Sequence, residues 1–343
     1  MRRLKILATA LLVSASGVRA DVPNVVVDIP PVFSLVSSVM QGVGTPKLLL
    51  RGNESPHNFA LRPSQRRDLG QADIIFWIGE GLTPWLEKAQ ASLTQTPISV
   101  ALGEQTGVVQ LSFREGAFFE NHDDHDDHDD HDGRGEVNGH TEHNRAETHE
   151  NAAAHDGEDN QDHAGHDHAG LDPHFWLDPE NAIHWIYTIA DILSQKDPEN
   201  AGAYYANATR TKASLELLNK NIAQQLAPHR AERFLIVHDA FQYFEARFGL
   251  AAQGAISDGH AAPPSAARIL AIRKLMQDQK ISCVFAEPGY NAKLLDNLIS
   301  ETSVRLKQLD PLGAGLPLDH TLYEAVLQNM ADTMVACFTN NEG

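Results

Sequence analysis

Three histidines occupy positions from which a chain binds a metal ion. His57 stands in the turn Glu54-Ser55-Pro56-His57 after the apolar run Lys47–Leu50, and His238 directly follows Phe234-Leu235-Ile236-Val237. His174 lies in Asp172-Pro173-His174-Phe175-Trp176-Leu177-Asp178, just ahead of a helix start. Apolar runs of this length read as buried parallel strands, and open parallel sheets bind ligands beyond the carboxyl ends of their strands. Glu287, directly after Cys283-Val284-Phe285-Ala286, and Asp310, directly after Val304–Leu309, stand at equivalent strand ends. Three neutral imidazoles from separate turns, completed by a carboxylate or water, make a tetrahedral zinc site. Any one of them alone would more often be a structural histidine; their joint placement carries the argument. His184 inside a helix, His229 beside Pro228, and His320 have no comparable setting, and His260 in a Gly- and Pro-rich loop stays open as an approach to the cleft.

A second group of chemical residues is a tract rather than a constellation. Between Glu120 and His168 the chain holds 17 acidic residues, two basic ones and 11 of its 18 histidines: His122, His125, His128, His131, His140, His143, His149, His155, His163, His166 and His168. The first four recur every third residue with two aspartates between. Like-charge repulsion and the lack of apolar side chains predict an insert that does not fold by itself. Solubility would need only the charge. Imidazoles interleaved with carboxylates suit capture of zinc, nickel or copper, so the tract reads as an auxiliary metal loop.

The elements that must position the first group follow from periodicity. Runs around Val25–Val27, Lys47–Leu50, Ile74–Ile78 and Ile98–Leu102 form one strand series, and Phe234–Val237, Cys283–Ala286 and Val304–Leu309 a second. Two α/β lobes with mostly parallel sheets follow. Between them, Asp178-Pro179-Glu180 starts a helix with Ile183, Ile186, Ala190 and Leu193 as its apolar stripe. Asp197-Pro198-Glu199 repeats the signal, and apolar residues from Ala201 to Leu226 at helical spacing end at Pro228. About thirty residues at 1.5 Å each give a rod of about 45 Å, which reads as the link between the lobes. The organisation is therefore a leader at 1–20, an N-terminal lobe at 21–196 carrying the insert at about 120–168, a linker helix at 197–228 and a C-terminal lobe at 229–343.

Composition excludes several classes. The 343 residues carry 46 Asp and Glu against 27 Lys and Arg, a net charge of −19, most of it in the insert. No basic patch exists to hold phosphates, which argues against a nucleic-acid partner. Arg2, Arg3 and Lys5 followed by Ile6–Val13 and Val18-Arg19-Ala20 read as a cleaved signal peptide, with the mature chain starting near Asp21 and no cysteine there for a lipid anchor. The apolar run is too short for a membrane span, so the chain is expected to be exported and not membrane-embedded. Its two cysteines, Cys283 and Cys337, should join in an oxidising compartment, in a structural role.

The quoted motifs, with Val237-His238-Asp239-Ala240-Phe241-Gln242-Tyr243-Phe244 and Ala286-Glu287-Pro288, resemble those of the ZnuA family, zinc-specific solute-binding proteins of ABC transporters. The resemblance runs in order along nearly the whole mature chain, including an acidic histidine-rich insert before the second motif and a cysteine pair near the C-terminus. It implies a periplasmic, monomeric protein of two (β/α) lobes joined by one rigid helix, with Zn2+ in the cleft as the transported ligand. Its partners would be a membrane permease and the permease's cytoplasmic ATPase. Carried over motif by motif, His57, His174 and His238 match the three histidine ligands. Manganese-binding relatives carry a carboxylate where His238 stands, and the softer nitrogen suits zinc. For the fourth position the sequence offers water first, then Asp310, then Glu54, because Pro56 stands beside His57 where some zinc members have Glu. Asp239 and Glu287 are the acceptors expected to orient the rings. A helical linker should resist wide hinge closure, so release is expected through local shifts near His57 and His174, with the insert feeding or sensing metal.

Two other classes fit part of this pattern. A zinc hydrolase shares the three-histidine outline, but the chain has no His-Glu-x-x-His helix, Gly-x-Ser-x-Gly elbow or phosphate loop. A periplasmic metal buffer would place the function in the insert and make the folded body a carrier.

Overall fold

The computed structural model describes residues 22–51, 54–114, 118–119, 170–257, 264–278, 280–290, 292–300 and 302–339. The leader, the auxiliary loop with its histidines, and His260 lie outside the described residues. The first lobe runs β1 (Val25–Val27), α1 (Pro30–Val39), β2 (Lys47–Leu48), α2 (Pro63–Gly70), β3 (Ile74–Trp77), α3 (Pro84–Gln90) and β4 (Ile98–Ala101). Then come α4 (Pro179–Lys196) and α5 (Ala201–Leu226). The second lobe runs β5 (Phe234–His238), α6 (Gln242–Phe248), β6 (Ala255–Ser257), α7 (Ala266–Asp278), β7 (Cys283–Ala286), α8 (Ala292–Ile299), β8 (Arg305–Gln308) and α9 (Leu322–Phe338).

Each lobe holds a four-stranded parallel sheet, ordered β2-β1-β3-β4 in the first and β6-β5-β7-β8 in the second. The chain reverses its direction of growth between β1 and β3 and again between β5 and β7, which opens a crevice at the carboxyl end of each sheet. Two-residue alternation gives the central strands β1, β3, β5 and β7 two buried faces. Val25, Val27, Ile74, Phe76, Phe234, Ile236, Cys283 and Phe285 face one continuous core that includes α1, α4, α5 and α9. Val26, Ile75 and Trp77 face a second cluster under α2 and α3, and Leu235, Val237, Val284 and Ala286 a third under α7 and α8. Both faces being apolar explains why these strands read as unbroken hydrophobic runs.

Helix starts follow local rules. Pro occupies the first turn of α1, α2, α3 and α4, where its missing N–H costs nothing. Asp178 caps α4 by accepting from Glu180 N at 2.9 Å, and the stripe Ile183, Ile186, Ala190 and Leu193 is buried. The repeat of that signal at Asp197 behaves otherwise: Pro198–Asn200 form a 3-10 turn, and the Asp197 carboxylate takes the hydroxyl of Tyr204 at 2.8 Å instead of capping α5. The 26 residues of α5 span about 39 Å.

Several boundaries differ from the sequence reading. β2 stops at Leu48, although Leu49 N and Leu50 N still donate to Val27 O and Asp28 O at 2.9 Å. The sequence reading missed β6, a three-residue edge strand with no hydrophobic run. α9 packs against α1 and α5 as well as β8, and its first turn bonds to the first lobe through Tyr323 N to Ser34 Oγ at 3.0 Å and Tyr323 Oη to Trp176 O at 2.7 Å. The disulfide Cys283–Cys337 ties α9 to β7, as the cysteine pair predicted. No helix among the described residues is long and apolar enough to cross a membrane.

Candidate metal centre

The three histidines meet. His57 comes from the loop between β2 and α2, His174 immediately precedes the 3-10 turn Phe175–Leu177 that leads into α4, and His238 is the last residue of β5. One possible ligand atom of each lies within 4.8 Å of the others, and the ring centroids are 5.0 to 5.5 Å apart. His174 and His238 are buried and His57 half-buried at the wall of a cavity of about 360 Å³ that Trp176, Glu287 and Asp310 also line. Among the described residues this is the only cluster of at least three His, Cys, Asp or Glu side chains with metal-binding spacing.

The Asp172 carboxylate determines how His174 is held. Its Oδ1 accepts the His174 backbone N–H at 3.0 Å and lies 2.7 Å from His174 Nδ1. With Nδ1 donating to the carboxylate, the neutral ring carries its lone pair on Nε2. Asp172 is itself buried, and burial pushes its pKa up to about 7 against the lowering pull of the His174 N–H and the Arg114 charge. His238 and Glu287 face each other across the crevice of the second sheet, with Nδ1 3.1 Å from Oε2. Burial works to raise the Glu287 pKa, but His238, His174 and His57 together outweigh it and hold the carboxyl below its usual range.

The other acids have different partners. Asp310, offered by the sequence as a ligand, lines the cavity, but its oxygens accept the backbone N–H groups of Leu312 and Gly313 at 2.9 Å and of Ala314 at 2.6 Å. It caps the turn that leads toward α9. Glu54 accepts from Arg51 N at 3.2 Å and pairs with Arg62. Asp239, expected to orient a ring, instead pairs with Arg114, which also binds Glu245. A side chain next in sequence to His238 points to the opposite face of the strand end, so adjacency placed Asp239 away from the ring. His184 lies on an exposed face of α4, His229 stacks on Phe338, and His320 serves α1 through its backbone oxygen.

Sequence reasoning missed Asp172, Arg114 and Tyr243. The Asp-x-His spacing was a usable signal for the first, since a carboxylate two residues back reaches a ring nitrogen locally. Arg114 stands in a segment without periodicity, and Tyr243 in α6 looks like any core aromatic, although its hydroxyl accepts Leu111 N and donates to Asp172 O, both at 2.9 Å.

Residues 25–337 match the profile of the family described as ZnuA, zinc-uptake complex component A, periplasmic. The chain belongs to this family. It is 37% identical over 335 residues to the high-affinity zinc uptake system protein ZnuA of Brucella suis biovar 1 (strain 1330), covering 97% of both chains. It is 37% identical over 333 residues to the protein of that name from Paracoccus denitrificans (strain Pd 1222). Among solved structures, a ZnuA deletion mutant (138-173) with zinc bound superposes with a TM-score of 0.68 at 22% identity, over 92% of this chain and 98% of that one, which speaks for the fold. The two-lobed fold with parallel sheets read from the sequence is thus the fold of the ZnuA family. The family is one of zinc-uptake binding components and not of enzymes, so the hydrolase reading falls.

Proposed function

We propose that this ZnuA-family chain captures Zn2+ in the cleft with His57, His174 and His238, and hands it to a membrane permease driven by a cytoplasmic ATPase. The observation that carries this reading is the convergence of three imidazoles from three separate loops within 4.8 Å, from which a small inward shift brings nitrogen donors to about 2.0 Å from one tetrahedral ion. Water takes the fourth position, and Glu287 orients the His238 ring from 3.1 Å. The acids near the cleft have other partners: Asp310 holds backbone amides, Glu54 pairs with Arg62, Asp239 with Arg114, and Glu287 with the His238 ring. The protein works in the periplasm as a monomer, and its insert, with eleven imidazoles in an acidic tract, supplies weaker auxiliary sites that gather zinc for the cleft.

Two measurements test this. X-ray absorption at the zinc edge on protein loaded with one equivalent should give three imidazole nitrogens and one water oxygen, and Glu287→Gln, which loosens the His238 ring, should weaken binding while the three-nitrogen signature stays. Cells lacking their own zinc-uptake binding protein should regain growth under chelation when they express this chain with its cognate permease, but not when they express His238→Ala. Full growth with His238→Ala would sink the cleft as the transport site.

A further inference from the structure

Behind the three imidazoles lies a buried ionic cluster that takes no direct part in the proposed coordination. The Arg114 side chain is 17% exposed, and its partners Asp239 and Glu245 are 4% and 3% exposed. Its Nε lies 3.1 and 3.2 Å from the two oxygens of Asp239, its Nη1 donates to Glu245 Oε2 at 2.8 Å, and its Nη2 reaches both carboxylates. The ring of Phe119 covers the guanidinium at 3.8 Å. Such a fork bound to two carboxylates at once is a geometry that only arginine provides.

The position of this cluster links the donors. His57 and His174 belong to the first lobe and His238 to the second, so the spacing of the three donors is set between lobes. Asp239 is the residue after His238. Arg114 belongs to the segment after β4, whose Phe113 N donates to Gly170 O and whose Leu111 O accepts Asp172 N, both at 2.8 Å. Asp172 in turn holds His174. Tyr243 from α6 joins the same segment at Leu111 N and Asp172 O. An unbroken path of chain neighbours and hydrogen bonds therefore runs from His238 through Asp239, Arg114 and Asp172 to His174.

We propose that Arg114 is a positioning residue of the zinc site, clamping the His238 end of β5 to the segment that carries the Asp172–His174 pair. The inference rests on the three histidines being the zinc ligands. A metal site tolerates only a few tenths of an ångström of error in its donors, so loosening this clamp weakens binding without removing a ligand. A second bidentate link between the lobes serves as the structural comparison: Arg247 donates to both oxygens of Asp178 at 2.7 Å, at the start of α4 and with no bond to a ligand's neighbour.

The experiment compares wild type, Arg114→Met, Arg114→Lys and Arg247→Met in full-length mature protein. Zinc affinity is read by competition with a chelator, and the donor geometry by the visible absorption of bound Co2+. Arg114→Met should lose 10- to 100-fold in zinc affinity, the range found when groups that orient metal ligands are removed, and its Co2+ band should weaken and shift. Arg114→Lys keeps the charge but not the fork, and should lose about tenfold. Arg247→Met should lower the melting temperature while leaving affinity and spectrum as in wild type. If Arg114→Met does not fold, Arg114→Lys decides. Arg114 variants that fold and bind zinc within twofold of wild type, with an unchanged Co2+ spectrum, overturn the inference and leave the ligand assignment standing. A wild-type protein whose zinc binding does not depend on the three histidines overturns both.

Discussion

His174 Nδ1 and Asp172 Oδ1 lie 2.7 Å apart, both buried, with the same oxygen also taking the His174 backbone N–H. The carboxylate fixes ring orientation and tautomer together, and it makes the far nitrogen a better donor. Asp172→Asn keeps the shape but replaces a charged acceptor by a weaker one. Its zinc affinity should fall about 10- to 100-fold, with an unchanged far-ultraviolet circular dichroism spectrum. Affinity equal to wild type would mean that His174 is oriented by its backbone alone.

Asp28 gives a pH-dependent prediction outside the metal site. It is fully buried at the end of β1, accepts Ile29 N at 2.8 Å and Ile78 N at 2.9 Å, and has its pKa pushed up by burial to about 7. A carboxyl with a raised folded-state pKa stabilises the fold when protonated and loses that contribution as pH rises from about 4 through about 7. Asp28→Asn cannot ionise, so its stability deficit relative to wild type should shrink over that interval, by at most about 1.4 kcal/mol per pH unit. Urea unfolding at several pH values measures this. A deficit that grows with pH would contradict the sign.

The disulfide offers a stability test separate from function. Cys283 and Cys337 are 54 residues apart in sequence, and closing that loop in the unfolded chain is worth about 4 kcal/mol in the chain-entropy model. Neither cysteine lines the cleft. The Cys283→Ala/Cys337→Ala variant should unfold at lower denaturant with zinc affinity within about twofold of wild type, and a large loss of affinity would show that β7 and Glu287 shift when α9 is released.

Much of this molecule was legible in its sequence because its signals are local. Buried parallel strands show as hydrophobic runs, Asp178-Pro179 announces α4, and each of the three histidines sits in a turn marked by Pro or at a strand end. What stayed hidden depends on tertiary partners. Asp310 stands at a strand end like a ligand, but the turn at Leu312–Ala314 claims its oxygens. Asp239 looks adjacent to the metal in sequence, yet the strand geometry turns it toward Arg114. Asp197 copies the helix-start signal of Asp178 and is drawn away by Tyr204. The short β6 has too few apolar residues to announce itself, and the crossing of α9 onto α1 has no sequence signature. Family motifs pointed to the histidines but not to the network behind them.

The central claim is that the cleft, and not the insert, holds the high-affinity site. Calorimetric zinc titration of the mature chain, of a variant lacking residues 120–168, and of that variant carrying His57→Ala, His174→Ala and His238→Ala tests it most directly. The account predicts one tight equivalent that survives the deletion and vanishes with the three substitutions, while the weaker equivalents leave with the insert. Loss of all tight binding on deletion alone, or one tight site persisting after the three substitutions, would contradict it.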